Sequence, residues 1–225
     1  MMADSAGTSK AGGRKVISVT AEPATRHERK ERTRRALLDA ALGLLADRGF
    51  GSLSLREVTK RAGIVPTAFY RHFASMDELG VALVEESMRT LRDMIRSARA
   101  DRRASSDIIR ASVQTLHQQV RAHEDHFRFL VRERYGGSGA VSRAVATELR
   151  LFSSELAVDL ARFQYLREWS NEDLHMMAEL IVTAMQATVL DLLEARPGAD
   201  ERIVRTAEKR LKLITLGVPA WRSRT

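Results

Sequence analysis

SLREVTKRAGIVPTAFYRHF, residues 54–73, is the stretch whose reading decides the fold. Ser54 followed by Glu57 is a capping-box signature, in which each side chain satisfies a backbone N–H that the start of a helix leaves unpaired. Leu55, Val58 and Ala62 then recur at helical spacing, so one face of a short helix is apolar. Gly63 ends that helix, because a residue without a Cβ takes the left-handed conformation at no steric cost. Pro66 stands where a second helix begins, since its ring pre-sets φ and its missing N–H is one the first turn does not use. Helix, glycine-containing turn and helix in this order make a helix-turn-helix.

The flanks extend the unit. Upstream, Leu37, Ala40, Ala41, Leu44 and Leu45 form the stripe of a longer helix expected to end at Gly49. Downstream, Ser75 and Glu78 are a second capping box that opens a long helical run. Three helices and the start of a fourth are expected to close over Leu44, Phe50, Leu55, Val58, Ile64, Phe69 and Phe73, a core of the size of a DNA-binding head.

From Asp77 onward the pattern stays helical. Leu79, Leu83, Met88 and Leu91 mark one long helix, and Ile109, Val113, Leu116 and Val120 a second that Ser106 can cap. HEDHFRFLVRER, 123–134, is shorter, with Phe127, Leu130 and Val131 facing inward, and the Gly-rich 136–139 breaks the chain after it. Val141, Val145, Leu149, Phe152, Leu156, Leu160 and Phe163 then form a clean stripe. Leu174, Met177, Ile181 and Leu192 form another, and Ile203, Ala207, Leu211 and Ile214 the last. A weak alternation at 15–20 is the one strand-like stretch. The expected fold is all-α: an extension at 1–25, a three-helix head at 26–76 and a helical body at 77–225 for ligand binding and dimerisation.

Composition sets limits on function. At 225 residues and 44% apolar content the chain buries a sizeable core, and with no cysteine it holds no disulfide or thiolate metal site. Lys10, Arg14 and Lys15 precede no hydrophobic block, and no run of 18 apolar residues occurs, so a secretory signal and a membrane span are not expected and the cytoplasm is. The net charge of +8 is unevenly placed. Residues 1–75 hold 14 Lys/Arg against 7 Asp/Glu, and the other 150 hold 23 against 22. The excess at one end is the electrostatic footprint of a chain that grips a polyanion there, with a solubilising tail as the competing explanation. RHERKERTRR, 26–35, carries five Arg and one Lys against two Glu, suited to phosphates or the minor groove, or to a solvated helix start.

In the helix-turn-helix, the residues not needed for the core can reach double-stranded DNA. These are Val65, Pro66, Thr67, Tyr70, Arg71 and His72 on the second helix, with Arg56 and Lys60 on the first. Thr67 brings a methyl and a hydroxyl to the end where recognition helices touch base edges. Tyr70 and His72 suit phosphate oxygens, which position a duplex without reading it. One recognition helix buries too little to be specific, so a homodimer is expected, paired through the last two helices where Ala178, Ala184, Ala187 and Thr188 permit close approach. His117, His123, His126 and His175 lack the spacing of a metal site, and no catalytic triad or phosphate loop is present, so neither an enzyme nor a cofactor is expected. A helical protein-binding scaffold without DNA is the alternative of another class.

TRRALLDAALGLLADRGFGSLSLREVTKRAGIVPTAFYRHFASMDELG, 33–80, resembles the DNA-binding head of the TetR family of transcriptional regulators over about a fifth of the chain. The Gly49-Phe50 turn, Ala62-Gly63, the FYRHF ending at 69–73 and Glu78-Leu79 fall in register. The resemblance implies a homodimer with Thr67, Tyr70 and His72 against DNA. Ala68 and Met76 depart from it, standing where many members have a hydroxyl residue and a lysine. A narrower similarity, carried by PTAFYRHF at 66–73, MDELG at 76–80 and FLVRER at 129–134 with Gly137 and Ser138, is to the branch that represses unsaturated fatty acid and desaturase genes and senses long-chain fatty acyl-CoA. It implies an acyl channel from Phe127, Leu130, Val131, Leu149, Phe152, Leu156, Met177 and Ile181. Arg132 and Arg134 would then face coenzyme A phosphates, which a planar guanidinium fork binds well. For each of these the competing role is plain core or plain surface. A regulator sensing a drug or an aromatic metabolite shares the same head.

Overall fold

The computed structural model describes residues 25–100, 105–137 and 139–223. The expected extension falls outside these, Thr25 excepted, as do the strand-like 15–20, Ser138 and the side chain of Ser106. Every regular element among the described residues is a helix, as the periodicity required. The order is α1 (Arg26–Leu44), α2 (Leu55–Ala62), α3 (Pro66–Phe69), α4 (Met76–Ala100), α5 (Ser105–Ala122), α6 (Glu124–Tyr135), α7 (Gly139–Leu160), α8 (Asn171–Leu193) and α9 (Asp200–Leu216), with short 3₁₀ turns at Phe50–Ser52 and Gln164–Leu166.

The first expected capping box forms as the sequence places it, whereas at α4 Ser75 Oγ accepts from the Glu78 amide at 3.1 Å but the Glu78 carboxylate reaches past Ser75 to accept from the Ala74 amide. Ser54 Oγ accepts from the Glu57 amide at 3.3 Å, and Glu57 Oε2 accepts from the Ser54 amide at 3.0 Å. Thr25 and Glu28 repeat that box at the start of α1. Gly63 closes α2 at φ 69°, a conformation that a Cβ disfavours. Hydrogen bonds from the Ser54 hydroxyl and amide, then from Arg48, hold the Glu57 carboxyl down to about 2.

The end of α1 differs from the expectation at Gly49. The helix stops at Leu44, with Leu45 as its cap. The carbonyls that a further turn would have used are taken by arginines: Arg48 Nε donates to Leu44 O at 3.0 Å, and Arg132 Nη1 donates to Leu45 O at 2.9 Å. The chain turns out early and drops Phe50 into the core.

One apolar cluster joins head and body. Leu37, Ala41, Val58, Phe69 and Phe73 pack with Leu79, Leu83 and Val84 of α4, with Phe129 and Leu130 of α6, and with Val141 and Val145 of α7. Burying a large apolar side chain contributes roughly 1.5–3 kcal/mol, so the phenylalanines dominate this joint. Gly80 on α4 permits the crossing. A Cβ there would stand 2.5 Å from Val141 Cγ2 and 2.7 Å from Phe50 Cζ. The rest of the body is bound by clusters between α7 and α8 and among α5, α6, α8 and α9. α8 has the length and mean hydropathy, 1.5, of a membrane span. It lies instead against α7 and α9, with Leu174, Met177, Ala178, Val182, Val189 and Leu192 buried.

Candidate nucleic-acid interface

Two buried phenylalanines set the rotation of α3. Phe69 is fully buried and Phe73 nearly so, with ring centroids 5.7 Å apart. With that side turned inward, Val65, Pro66, Thr67, Tyr70 and Arg71 are exposed, Val65 and Tyr70 by 64% and 62%. Val65 and Tyr70 cap the two ends of this four-residue helix, and although the Tyr70 ring meets the edge of Phe69 at 5.5 Å, both stay largely exposed, so this face is open to a partner. Arg56 and Lys60 are exposed on α2, whose far side buries Val58.

His72 is the exception in the expected contact set. It is half-buried, and its Nδ1 lies buried without a hydrogen-bond partner. Burial first, then Lys30, Arg34 and Arg71, push its pKa below the ordinary imidazole value, so it is a neutral group at physiological pH. Its backbone carbonyl accepts from Arg34 Nη1 at 3.4 Å, and the Arg34 guanidinium lies 4.4 Å from the centroid of the Phe73 ring. The basic stretch at 26–35 thus divides. Arg34 braces α3, Arg35 pairs with Asp39 at 3.3 Å and with Glu86 of α4, and Arg26, Lys30 and Arg32 stay exposed on the first turns of α1.

The expected effector residues do not all converge. Leu149, Phe152, Leu156, Met177 and Ile181 meet where α7 lies against α8. Phe127 and Val131 pack instead with Val189 and Leu192, and Leu130 belongs to the joint between head and body. An open cleft of about 450 Å³ lies between α6 and α8, with Val131 and Arg132 of the expected set in its wall beside Arg128, Leu190 and Leu193. Arg134 is exposed. Arg132 is engaged: Nη1 donates to the carbonyls of Leu45 and Arg48, each at 2.9 Å.

Glu133, beside it, was not singled out from the sequence. Its side chain is buried, and its Oε1 accepts from the Phe50 amide at 2.8 Å. The signal was its spacing: it follows Phe129 and Leu130 by four and three residues, an inward position occupied by a carboxylate.

The small residues expected at a dimer contact also divide. Ala178 and Thr188 are buried within the protomer, Ala184 is half-buried and Ala187 is exposed. At 100° per residue, positions 178 and 188 lie away from the outward stripe, which is Met176, Leu180, Thr183 and Ala187. The histidines are occupied separately: His117 beside Asp200, His126 beside Ser87 and His175 beside Ser154. Among the described residues no group of three or more His, Cys, Asp or Glu could hold a metal ion.

Comparison with known proteins identifies the family and the fold. The profile described as "Bacterial regulatory proteins, tetR family" matches 37–83, and "Tetracyclin repressor-like, C-terminal domain" matches 105–218. Among solved structures, the chain is similar to a TetR-family transcriptional regulator from Streptomyces coelicolor, with 21% identity, TM-score 0.65, and 84% of this chain and 96% of that one covered. It is similar to the fatty acid degradation regulator FadR from Bacillus halodurans at 16% identity and TM-score 0.67, covering 85% and 97%. FadR from Bacillus subtilis, solved in complex with stearoyl-CoA, gives 14% identity and TM-score 0.67, covering 81% and 98%. With one profile on the helix-turn-helix and the other on half of the chain, the protein belongs to the TetR family of bacterial transcriptional regulators, which are non-catalytic DNA-binding proteins.

Proposed function

We propose that this protein is a dimeric, sequence-specific regulator that represses fatty acid genes and whose operator affinity is set by a long-chain acyl-CoA. In this reading 26–76 is the DNA-binding head, 77–225 is the effector-binding and dimerisation body, and the protein works on DNA in the cytoplasm. The DNA contacts are Val65, Pro66, Thr67, Tyr70, Arg71 and the neutral His72, with Arg56 and Lys60 on phosphates. The outward face at α3 carries this part of the reading, since Val65 and Tyr70 are large side chains left mostly exposed there. Dimerisation uses the exposed stripe of α8, continued by Leu213 and Leu216 near the end of α9.

For the effector, the support is the apolar meeting of Leu149, Phe152, Leu156, Met177 and Ile181 between α7 and α8. The likeness in fold to a regulator solved with stearoyl-CoA points the same way. The test titrates palmitoyl-CoA, oleoyl-CoA and free coenzyme A against the dimer–operator complex. Thioesters are expected to change operator affinity and free coenzyme A to leave it unchanged; indifference to both thioesters rejects the acyl-CoA assignment and leaves the DNA-binding regulator standing. One observation favours a hydrophobic effector without phosphates: Arg132, the cation best placed for them, already serves the end of α1. A response to a neutral aromatic ligand and to neither thioester selects that second reading.

A further inference from the structure

We propose that Arg132 and Glu133 are positioning residues for operator binding: from α6 they clamp the loop after α1 and so fix where the two recognition helices of a dimer stand. The proposal rests on the DNA-binding dimer described above and on no particular effector. The two residues are consecutive, so their side chains leave α6 about 100° apart and reach the loop at different atoms. Arg132 Nη1 donates to Leu45 O and Arg48 O at 2.9 Å each, and to Ala46 O at 3.4 Å. A cation at the carbonyl end of α1 also meets the negative end of its dipole. Glu133 Oε1 accepts from the Phe50 amide at 2.8 Å, one residue beyond the Gly49 turn. One arm holds the loop by its carbonyls and the other by its N–H.

Mere packing of α6 does not call for this pair. Glu133 is only 3% exposed, and a buried carboxylate is costly unless hydrogen-bonded, so an apolar residue would pack at lower cost. The chain beyond it turns tightly over Glu133, backbone and carboxylate both. A Cβ on Gly137 would stand 2.4 Å from Glu133 Oε2 and 2.6 Å from Glu133 O. The clamped loop leads directly to α2 and α3, and Phe50 packs against Phe129 of α6 with ring centroids 6.4 Å apart. Recognition helices of a dimer serve half-sites about 34–36 Å apart. A head free to rock on its body blurs that spacing, and a clamped head enforces it.

The chain has no cysteine, so a single one placed at Gly51 carries a nitroxide label on each head. Gly51 is exposed, with nothing within 4 Å of where its Cβ would stand. The distance distribution between the two labels is measured for the full-length dimer and for Arg132→Gln, Glu133→Gln, Arg132→Lys and Gly137→Ala. The same proteins are titrated with an operator selected by the wild type from random duplexes, and with versions lengthened or shortened by one base pair between half-sites. The wild type is expected to give a narrow distribution and about a tenfold penalty for altered spacing. The Gln variants and Gly137→Ala are expected to broaden the distribution and shrink the penalty to about two- to threefold. Arg132→Lys, which keeps the charge and loses the fork, is expected to fall between. A purely structural role lowers the melting temperature and leaves both readouts at wild-type values, and that result in folded variants overturns the proposal. Should the Gln variants fail to fold, wild-type behaviour of Arg132→Lys and Gly137→Ala overturns it equally. A wild type that is monomeric, or that selects no duplex, removes the dimer reading and the clamp with it.

Discussion

Thr67 and Tyr70 share the outward face of α3 and are suited to different parts of a duplex. Tyr70 presents a phenol that phosphate oxygens accept from, and Thr67, near the N-terminal end, offers a methyl and a hydroxyl to base edges. Tyr70→Phe is expected to weaken all duplexes by a similar factor, about 1 kcal/mol or fivefold. Thr67→Ala is expected to cost about 1 kcal/mol on the selected operator and to relax preference at one position of each half-site. Gel shifts on the operator and its single-base variants separate the two; a reversed pattern rejects the assignment. Gly80 carries a prediction about stability. Alanine is the better helix former by about 1 kcal/mol, but its Cβ would press on Val141 and on the buried ring of Phe50. Overpacking of this kind costs about 1–3 kcal/mol, so Gly80→Ala is expected to lower the melting temperature by several degrees. A variant as stable as the wild type would mean that α4 and α7 separate readily.

At the scale of elements, local chemistry was legible and long-range chemistry was not. Ser54, Glu57, Gly63 and Pro66 announce α2 and α3 because caps and turns depend on neighbours three or four residues away. At the early stop of α1, Arg48 caps Leu44 O from four residues away, but Leu45 O is taken by Arg132, 87 positions downstream, and no local pattern reports that half. The same limit hid Glu133, and it hid the inward turn of Ala178 and Thr188, whose small size suits either side of α8. Another long-range tie joins α5 to the start of α9. Asp200 accepts from Arg121 Nε at 2.8 Å and lies 2.7 Å from His117 Nε2. Those bonds, Arg121 first, hold its carboxyl down to about 2. A carboxyl depressed by folding stabilises above its unfolded value, near 3.9, and loses that contribution as pH falls through about 2. Asp200→Asn is therefore expected to melt below the wild type at pH 6, with the gap closing between pH 4 and 2. A gap independent of pH would assign the stabilisation to packing.

The head shares its core with α4, α6 and α7, and α8 packs in turn against α6 and α7. In the proposed regulator, an effector between α7 and α8 acts on DNA through that shared core, with a second copy fixing the body as a base. In the proposed dimer the outward stripe of α8, with Met176 and Leu180 exposed by 40% and 52%, is the surface for that copy. Exposed apolar residues at this spacing are costly to leave in water and are buried when two such helices meet. Leu180→Asp places a charge at the centre of the stripe and touches none of the protomer's core. It is expected to leave the helical circular dichroism unchanged and to shift the species in sedimentation from dimer to monomer. Operator affinity should fall by a hundredfold or more in order of magnitude, towards that of non-specific binding, because one recognition helix then acts without its partner. Dimers that persist in Leu180→Asp would place the two-fold contact elsewhere on the body, with the exposed Leu151 and Val158 of α7 as the next surface to alter.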